Sequence, residues 1–312
     1  MSQIFDALQR FEADRSGVDP AKLTPAAELL EIAESQVVRF PGEDKRPTNN
    51  DPRVQGAQHL EKASIEQLGQ FQSVEVTPPS QSDLVCVRES EGLAAEKFRF
   101  LSVRLRHLQQ RRTLKRVLIT SSMAEEGKSM IAANLACTLA RKPQQKVLLL
   151  EGDLRRPSLM QRFGLGGLPG LSESLQGEAG LTINIHHLKT LGFWILPAGY
   201  PRRNPLEVMQ SGKLPVLMDQ LVTWFDWIVI DSPPMLPLAD TSIWVRMADA
   251  VLLVTRPGRT AKRQLQRALE EIDPSKLLGA LLNGSEAATL GDYYHYYGKR
   301  PSPQESSHTL NP

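Results

Sequence analysis

The stretch Arg116 to Ala140, RVLITSSMAEEGKSMIAANLACTLA, constrains this chain more than any other. It opens on an apolar, β-rich run, Val117-Leu118-Ile119-Thr120, and passes through a polar turn from Ser121 to Glu126 before reaching Gly127-Lys128-Ser129. A helical pattern follows, with Ile131, Leu135 and Leu139 apolar and small residues between them. Strand, loop, G-K-S, helix is the local order that a phosphate-binding loop requires. Successive backbone N–H groups wrap a phosphate, and the helix N-terminus points its unpaired donors and dipole at it. In such a loop Ser122, Met123, Ala124, Glu125, Glu126, Gly127, Lys128, Ser129 and Met130 surround a nucleotide's phosphates. Lys128 would reach the β- and γ-phosphates of ATP, and Ser129 would place its hydroxyl on Mg²⁺. The usual spacing begins with glycine where this chain has Ser122, so the loop alone leaves open a chance G-K-S at a helix start.

Acids further along decide between those readings. Asp231 ends the run Trp227-Ile228-Val229-Ile230 and precedes Ser232-Pro233-Pro234. There it can hold Mg²⁺ directly or through water, or cap the next turn. Glu151 and Asp153 follow Leu148-Leu149-Leu150. Two residues apart on an extended segment, they are expected to project to one side. Paired carboxylates near Mg²⁺-ATP can supply a metal ligand, Asp153, and a general base for an attacking hydroxyl, Asp153 or Glu151. Their bland alternative is a solvated turn. Arg155 and Arg156 follow at once, to meet phosphate or steady the acids.

Apolar runs at 146–150, 193–197, 227–230, 250–254 and 277–282 read as strands buried on both faces, with helices between them over 206–225 and 260–272. This pattern predicts an α/β fold, a doubly wound and mostly parallel sheet with ligands at the carboxyl ends of its strands. Glu89 to Arg112 reads as a long helix ending in a basic cluster of Arg104, Arg106, His107, Arg111, Arg112, Lys115 and Arg116. Nucleic-acid contact is one reading, but no aromatic residues are interleaved, and a solvated or subunit-contact face is the expectation. Arg259, Lys262, Arg263 and Arg267 read as a solvated basic helical face.

Upstream, Ile4, Phe5, Leu8 and Phe11 share one helical face, and a second short helix starts at Thr24-Pro25. These helices could dock on the chain's own core or on a partner. A polar, partly disordered linker from about Pro41 to Ser80 follows. The organisation expected is residues 1–88 as N-terminal extension, 89–285 as nucleotide-binding domain and 286–312 as a flexible tail. With a net charge of +2 there is no general case for nucleic acid or anionic lipid, and none is expected as partner. Cys86 and Cys137 sit in apolar runs and read as reduced, buried thiols, which fits the cytosol. No secretory pattern or membrane-length apolar run is visible, so membrane association is expected only through a partner.

The motifs carry a resemblance. LLLEGDLRRPSL resembles the second acidic motif of bacterial tyrosine kinases, and IVIDSPP resembles their Walker B segment. These are P-loop enzymes sharing the fold of ParA/MinD-type ATPases. The start SQIFDALQR and the tail DYYHYYG are similar to stand-alone cytoplasmic members, which work with a separate transmembrane chain-length determinant, or polysaccharide co-polymerase, in exopolysaccharide or capsule synthesis. The resemblance implies an ATP- and Mg²⁺-dependent tyrosine autokinase at the inner face of the plasma membrane, a homo-oligomer countered by a tyrosine phosphatase. It implies autophosphorylation at Tyr293, Tyr294, Tyr296 and Tyr297, catalysis by Lys128, Glu151 and Asp153, Mg²⁺ on Ser129, Asp153 and Asp231, and adenine contact by Asn283.

The chain also departs from that pattern. Where the family reads P-G-E-G-K-S/T, this loop has Ala124-Glu125-Glu126-Gly127-Lys128-Ser129, which alters its backbone freedom and sets the Glu125 charge near phosphates unless it faces solvent. Glu151 replaces the family's Asp, and one extra methylene can displace a base by about 1 Å, an error able to cost ~10²-fold. In the subunit-contact helix Glu96 and Arg99 match E-x-x-R-x-x-R, but Ser102 takes the last position. Two alternatives stand beside the autokinase. One is a non-catalytic nucleotide-binding regulator of the same machinery. The other is a ParA/MinD-type partition ATPase, against which stands Met123 where those proteins carry a further lysine.

Overall fold

Within each apolar run, alternate residues face opposite ways, and this alternation builds two cores. Val117 and Ile119 of one strand join Val147, Leu149, Val229 and Leu252 on one side of the sheet, while Leu118 joins Leu148, Leu150, Ile228, Ile230 and Leu253 on the other. The computed structural model describes residues 68–79, 82–88, 92–177, 183–201, 204–236 and 239–284. The expected N-terminal helices and the four tail tyrosines, Tyr293 to Tyr297, lie outside the described residues.

Eight strands form one sheet: β1 (Gln72–Val74), β2 (Arg116–Ser121), β3 (Val147–Glu151), β4 (His186–Leu188), β5 (Phe193–Leu196), β6 (Trp227–Asp231), β7 (Ala250–Thr255) and β8 (Leu277–Leu282). Their order is β1-β4-β5-β3-β6-β2-β7-β8. The pairings from β5 to β8 are all parallel; β4 runs antiparallel to β5 and carries β1 parallel to itself. The doubly wound, mostly parallel α/β sheet is therefore as expected. The short strands β1, at one edge of the sheet, and β4, between β1 and β5, go beyond that expectation. Gln72-Ser73-Val74 lies within the expected linker, yet it pairs with His186-His187-Leu188, and nearby Leu68, Val76 and Leu84 are buried.

The helices are α1 (Val85–Arg88), α2 (Leu93–Arg111), α3 (Lys128–Ala140), α4 (Leu159–Arg162), α5 (Leu171–Gln176), α6 (Pro205–Met209), α7 (Lys213–Trp224), α8 (Asp240–Met247) and α9 (Lys262–Glu270). Helix α3 is buried at every position from Ile131 to Leu139, consistent with its apolar and small residues on all sides. It packs with α2, through Phe98 and Leu105, over the Val117 face. Helices α7 and α8 cover the other face through Leu217, Leu221 and Trp244. The expected helix over 206–225 is two helices, because Gly212 adopts φ 76° and the chain turns there.

The basic cluster has structural work at the amino ends of the strands. Arg106 donates to the Leu139 carbonyl at the end of α3, Lys115 to the Val222 and Phe225 carbonyls at the end of α7, and Arg112 to the Ser275 carbonyl. Arg116 pairs with Asp249 at 2.6 Å. Cations there satisfy orphan helix carbonyls and oppose the negative end of the helix dipole. In α2, Glu96 pairs with Arg99, while Ser102 is buried and donates to the Arg99 carbonyl at 2.7 Å. Cys137 is buried and is not in a disulfide. No helix among the described residues is long and apolar enough to cross a membrane.

Candidate active site

The phosphate loop, Glu151, Asp153, Asp231 and Asn283 gather at the carboxyl ends of the parallel strands. The loop after β2 leads into α3 through Gly127, whose φ of 96° is a left-handed conformation. A Cβ on Gly127 would lie 2.1 Å from Asn283 Nδ2, so both backbone conformation and space demand glycine there. Glu125 takes φ 64°, the conformation that a glycine would adopt freely. The loop keeps that turn despite the substitution, at a cost of roughly 1–2 kcal/mol. Its carboxylate points outward, to the Arg259 guanidinium at 2.9 Å, so its charge is directed away from Lys128 and onto a cation.

Glu126 holds the loop from inside. It is buried; one oxygen accepts from the Met123 N–H at 3.0 Å and the other bonds the Thr260 hydroxyl. Its backbone carbonyl accepts from Asn283 Nδ2 at 2.9 Å. Asn283, expected to contact adenine, thus sits against the phosphate loop with its amide donor engaged. Ser122 is fully buried and its hydroxyl has no partner among the described residues, although its carbonyl accepts from the Leu236 N–H at 3.2 Å.

The structure sets Glu151 and Asp153 to different tasks, contrary to the expectation that they project together. Glu151 closes β3 opposite Asp231 of β6. Its carboxylate is fully buried and accepts from the Ser158 and Leu159 N–H groups at 2.6 and 2.7 Å and from the Ala198 N–H at 3.1 Å. Burial raises its pKa, partly countered by these amides and reinforced by Asp153. Those contacts fasten the start of α4 and the end of β5 to β3, and they leave Glu151 poorly placed to take a proton from a substrate.

Asp153 turns toward the loop instead. One oxygen lies 3.2 Å from Lys128 Nζ, and the other accepts from the Arg155 and Arg156 N–H groups at 3.3 and 3.0 Å. Lys128 also approaches the Ser129 hydroxyl at 3.4 Å. Asp231 is buried with neither carboxylate oxygen in a hydrogen bond among the described residues. Burial pushes its pKa up to about 7, against the Lys128 charge and the Ser129 hydroxyl, which lower it.

Two buried orphan oxygens, next to a serine hydroxyl at a helix N-terminus, are what a hard cation would complete. Among the described residues no group of three or more His, Cys, Asp or Glu side chains can hold a metal alone. Mg²⁺ characteristically takes one or two protein oxygens together with phosphates and water, so Ser129 and Asp231 fit it. Asp153 fits less well, since its oxygens face an ammonium and two amides.

Sequence reading missed several supports. Between the two acids, Gly152 sits against Trp244, where a Cβ would come within 2.6 Å of the ring, and its carbonyl accepts from the indole N–H at 3.2 Å. Arg155 is bidentate on buried Asp240, at 2.6 and 3.1 Å. Arg259, exposed as expected, pairs with Glu125, and Thr260 bonds the buried Glu126, so both touch the phosphate loop. An acid in the first turn of a helix, and a cation at a strand's carboxyl end opposite Glu125, were the available signals.

Comparison with known proteins agrees with this geometry. No family model matches the chain. Tyrosine-protein kinase YwqD of Bacillus subtilis is 32% identical over 222 residues, 70% of this chain and 93% of that protein. The succinoglycan biosynthesis transport protein ExoP of Rhizobium meliloti is 34% identical over 187 residues, 58% of this chain but 24% of that longer protein. Among solved structures, the kinase domain of Escherichia coli tyrosine kinase ETK superposes with TM-score 0.60 at 26% identity, covering 71% of this chain and 92% of that one. With the phosphate loop, the two acidic segments and the sheet in this arrangement, the chain belongs to the bacterial tyrosine-protein kinase family.

Proposed function

We propose that the protein is an ATP-dependent tyrosine autokinase that phosphorylates its own tail at Tyr293, Tyr294, Tyr296 and Tyr297. The observation carrying this reading is the juxtaposition of Lys128 and Asp153, 3.2 Å apart beside the orphaned carboxylate of Asp231. Lys128 leaves Asp153 for the β- and γ-phosphates when ATP binds, which frees the Asp153 carboxylate as base. Asp153 takes the tyrosine hydroxyl proton as its oxygen bonds the γ-phosphorus, and the bond to the β-phosphate oxygen breaks, leaving ADP with the electron pair. The loop's N–H groups and Lys128 stabilise the negative charge spread over the transferring phosphoryl. Ser129 and Asp231 hold Mg²⁺, which when bound neutralises charge on the phosphates. Glu151 keeps the acidic loop in place and has no proton-transfer role. Asn283 borders the adenine.

The relatives support part of the surrounding biology. The name of ExoP supports a place in polysaccharide synthesis and export; a transmembrane co-polymerase as partner, holding this chain at the inner membrane face, is part of the proposal. Homo-oligomerisation and reversal by a phosphatase belong to the same reading. The test is incubation of the purified protein with Mg²⁺-ATP, with and without the cytoplasmic segment of a candidate partner, read by peptide mass spectrometry. Phosphate on the tail tyrosines that is absent in Lys128→Ala is the expected result. Tight nucleotide binding with an unmodified tail in both conditions would replace the autokinase by a nucleotide-binding regulator, with the altered loop and Glu151 as reasons.

A further inference from the structure

Two arginines follow the catalytic-loop acid, and the structure gives them opposite fates. The Arg155 guanidinium is committed to Asp240, a buried carboxylate in the first turn of α8. Its two bonds, at 2.6 and 3.1 Å, keep that guanidinium engaged with Asp240. The Arg156 side chain is exposed and makes no hydrogen bond or ion pair among the described residues. Its backbone, however, is not loose. The Arg156 N–H is held at 3.0 Å by the same Asp153 carboxylate whose other oxygen faces Lys128. A free guanidinium therefore starts from a point fixed to the proposed base, at the mouth of the site.

We infer that Arg156 captures an oxyanion on the tyrosine-bearing substrate segment and so sets its register against Asp153. This rests on the autokinase reading. The chemistry is that of a planar, five-donor cation, which suits a carboxylate or phosphate in bidentate contact. The chain's own tail offers two sources. Asp292 stands directly before Tyr293, and phosphate already placed on one tyrosine would present a second oxyanion to later rounds. Arg155 is a positioning residue, acting through Asp240 on the loop that carries Asp153.

The experiment uses the full chain with its own tail disabled by D292N, Y293F, Y294F, Y296F and Y297F. A fluorescent peptide of residues 289–300 is titrated and read by anisotropy, which requires no turnover, and the same peptide is then used as substrate. R156A is expected to weaken peptide binding and raise its KM about tenfold or more, with R156K intermediate and ATP affinity unchanged. If that penalty disappears with an Asp292→Asn peptide, the oxyanion is the carboxylate. If it grows with a peptide phosphorylated at Tyr297, phosphate is read as well.

Equal affinity of wild-type protein and R156A for every peptide overturns the inference. So does a fall in kcat with peptide KM unchanged, which would place Arg156 in the chemical step. An absence of phosphorylation alongside Arg156-dependent peptide binding would sink the autokinase reading while leaving the capture role standing.

Discussion

Replacing Glu151 separates an acid that builds the site from one that reacts in it. Its carboxylate satisfies three N–H groups, buried ones on Leu159 and Ala198 and a half-buried one on Ser158. Each donor left unpaired costs roughly 1–3 kcal/mol, so with partial relaxation Glu151→Ala should lose about 3–5 kcal/mol. Glu151→Gln is the sharper probe. Its carbonyl oxygen can still accept from Ser158 and Leu159, but its NH₂ group then confronts the Ala198 N–H. That mismatch is partly offset because a neutral side chain avoids the burial cost that raises the Glu151 pKa. A net loss of about 1–2 kcal/mol is expected, a fall in Tm of roughly 2–8 °C for a domain of this size. Catalysis should survive to within about tenfold, whereas removing a general base costs typically 10²–10⁴-fold. Thermal unfolding and initial rates of tail phosphorylation on the same preparation measure both quantities. A Glu151→Gln protein with unchanged Tm and a kcat down by more than about 10²-fold would refute the structural assignment and return the base role to Glu151.

Other consequences concern the neighbouring groups. Asp231 titrates near 7 in the fold against an ordinary 3.8, so the unfolded chain loses that proton first as pH rises. Its contribution therefore turns increasingly unfavourable between about pH 4 and 7 and is constant above, by an order of 4 kcal/mol at most. D231N should flatten this slope in urea unfolding, be more stable than wild type at pH 8 without nucleotide, and show no thermal shift with Mg²⁺-ATP; a D231N protein less stable at pH 8 would contradict the assignment. Gly152→Ala drives a methyl to 2.6 Å from the Trp244 ring and should cost about 1–3 kcal/mol or more in urea unfolding. Glu125→Gly relieves a left-handed non-glycine residue but frees the unfolded chain and loses one exposed ion pair, so stability should change by less than about 1 kcal/mol. A loss above about 2 kcal/mol would mean the Arg259 contact matters more than its exposure allows.

The parts of this fold visible in sequence are those fixed by local pattern. The six parallel strands showed as apolar runs because both faces of each central strand are covered. The strands β1 and β4 did not, since Gln72-Ser73-Val74 and His186-His187-Leu188 are short, partly polar and without a continuous apolar signal. The phosphate loop was legible down to Gly127 because its chemistry depends on neighbours in the chain. The fate of Glu151 was not, because its amide partners come from 7, 8 and 47 residues away and depend on where two connections turn. Arg155 is likewise explained only by Asp240, 85 residues on. The outward turn of Glu125 depends on Arg259, a residue that looked like part of a solvated helix until β7 brought it beside the loop.

The placement of Trp244 makes the site observable without a label. Its indole N–H bonds the carbonyl of Gly152, the residue between Glu151 and Asp153, and its ring packs where any side chain on Gly152 would go. The same helix supplies Asp240 to Arg155, so α8 touches the acidic loop at two points. A displacement of that loop by nucleotide or substrate would change the hydrogen bond and packing of a fully buried chromophore. With Trp194, Trp224 and Trp227 replaced by phenylalanine, the emission of Trp244 becomes a native optical gauge of the acidic loop, readable in real time during turnover.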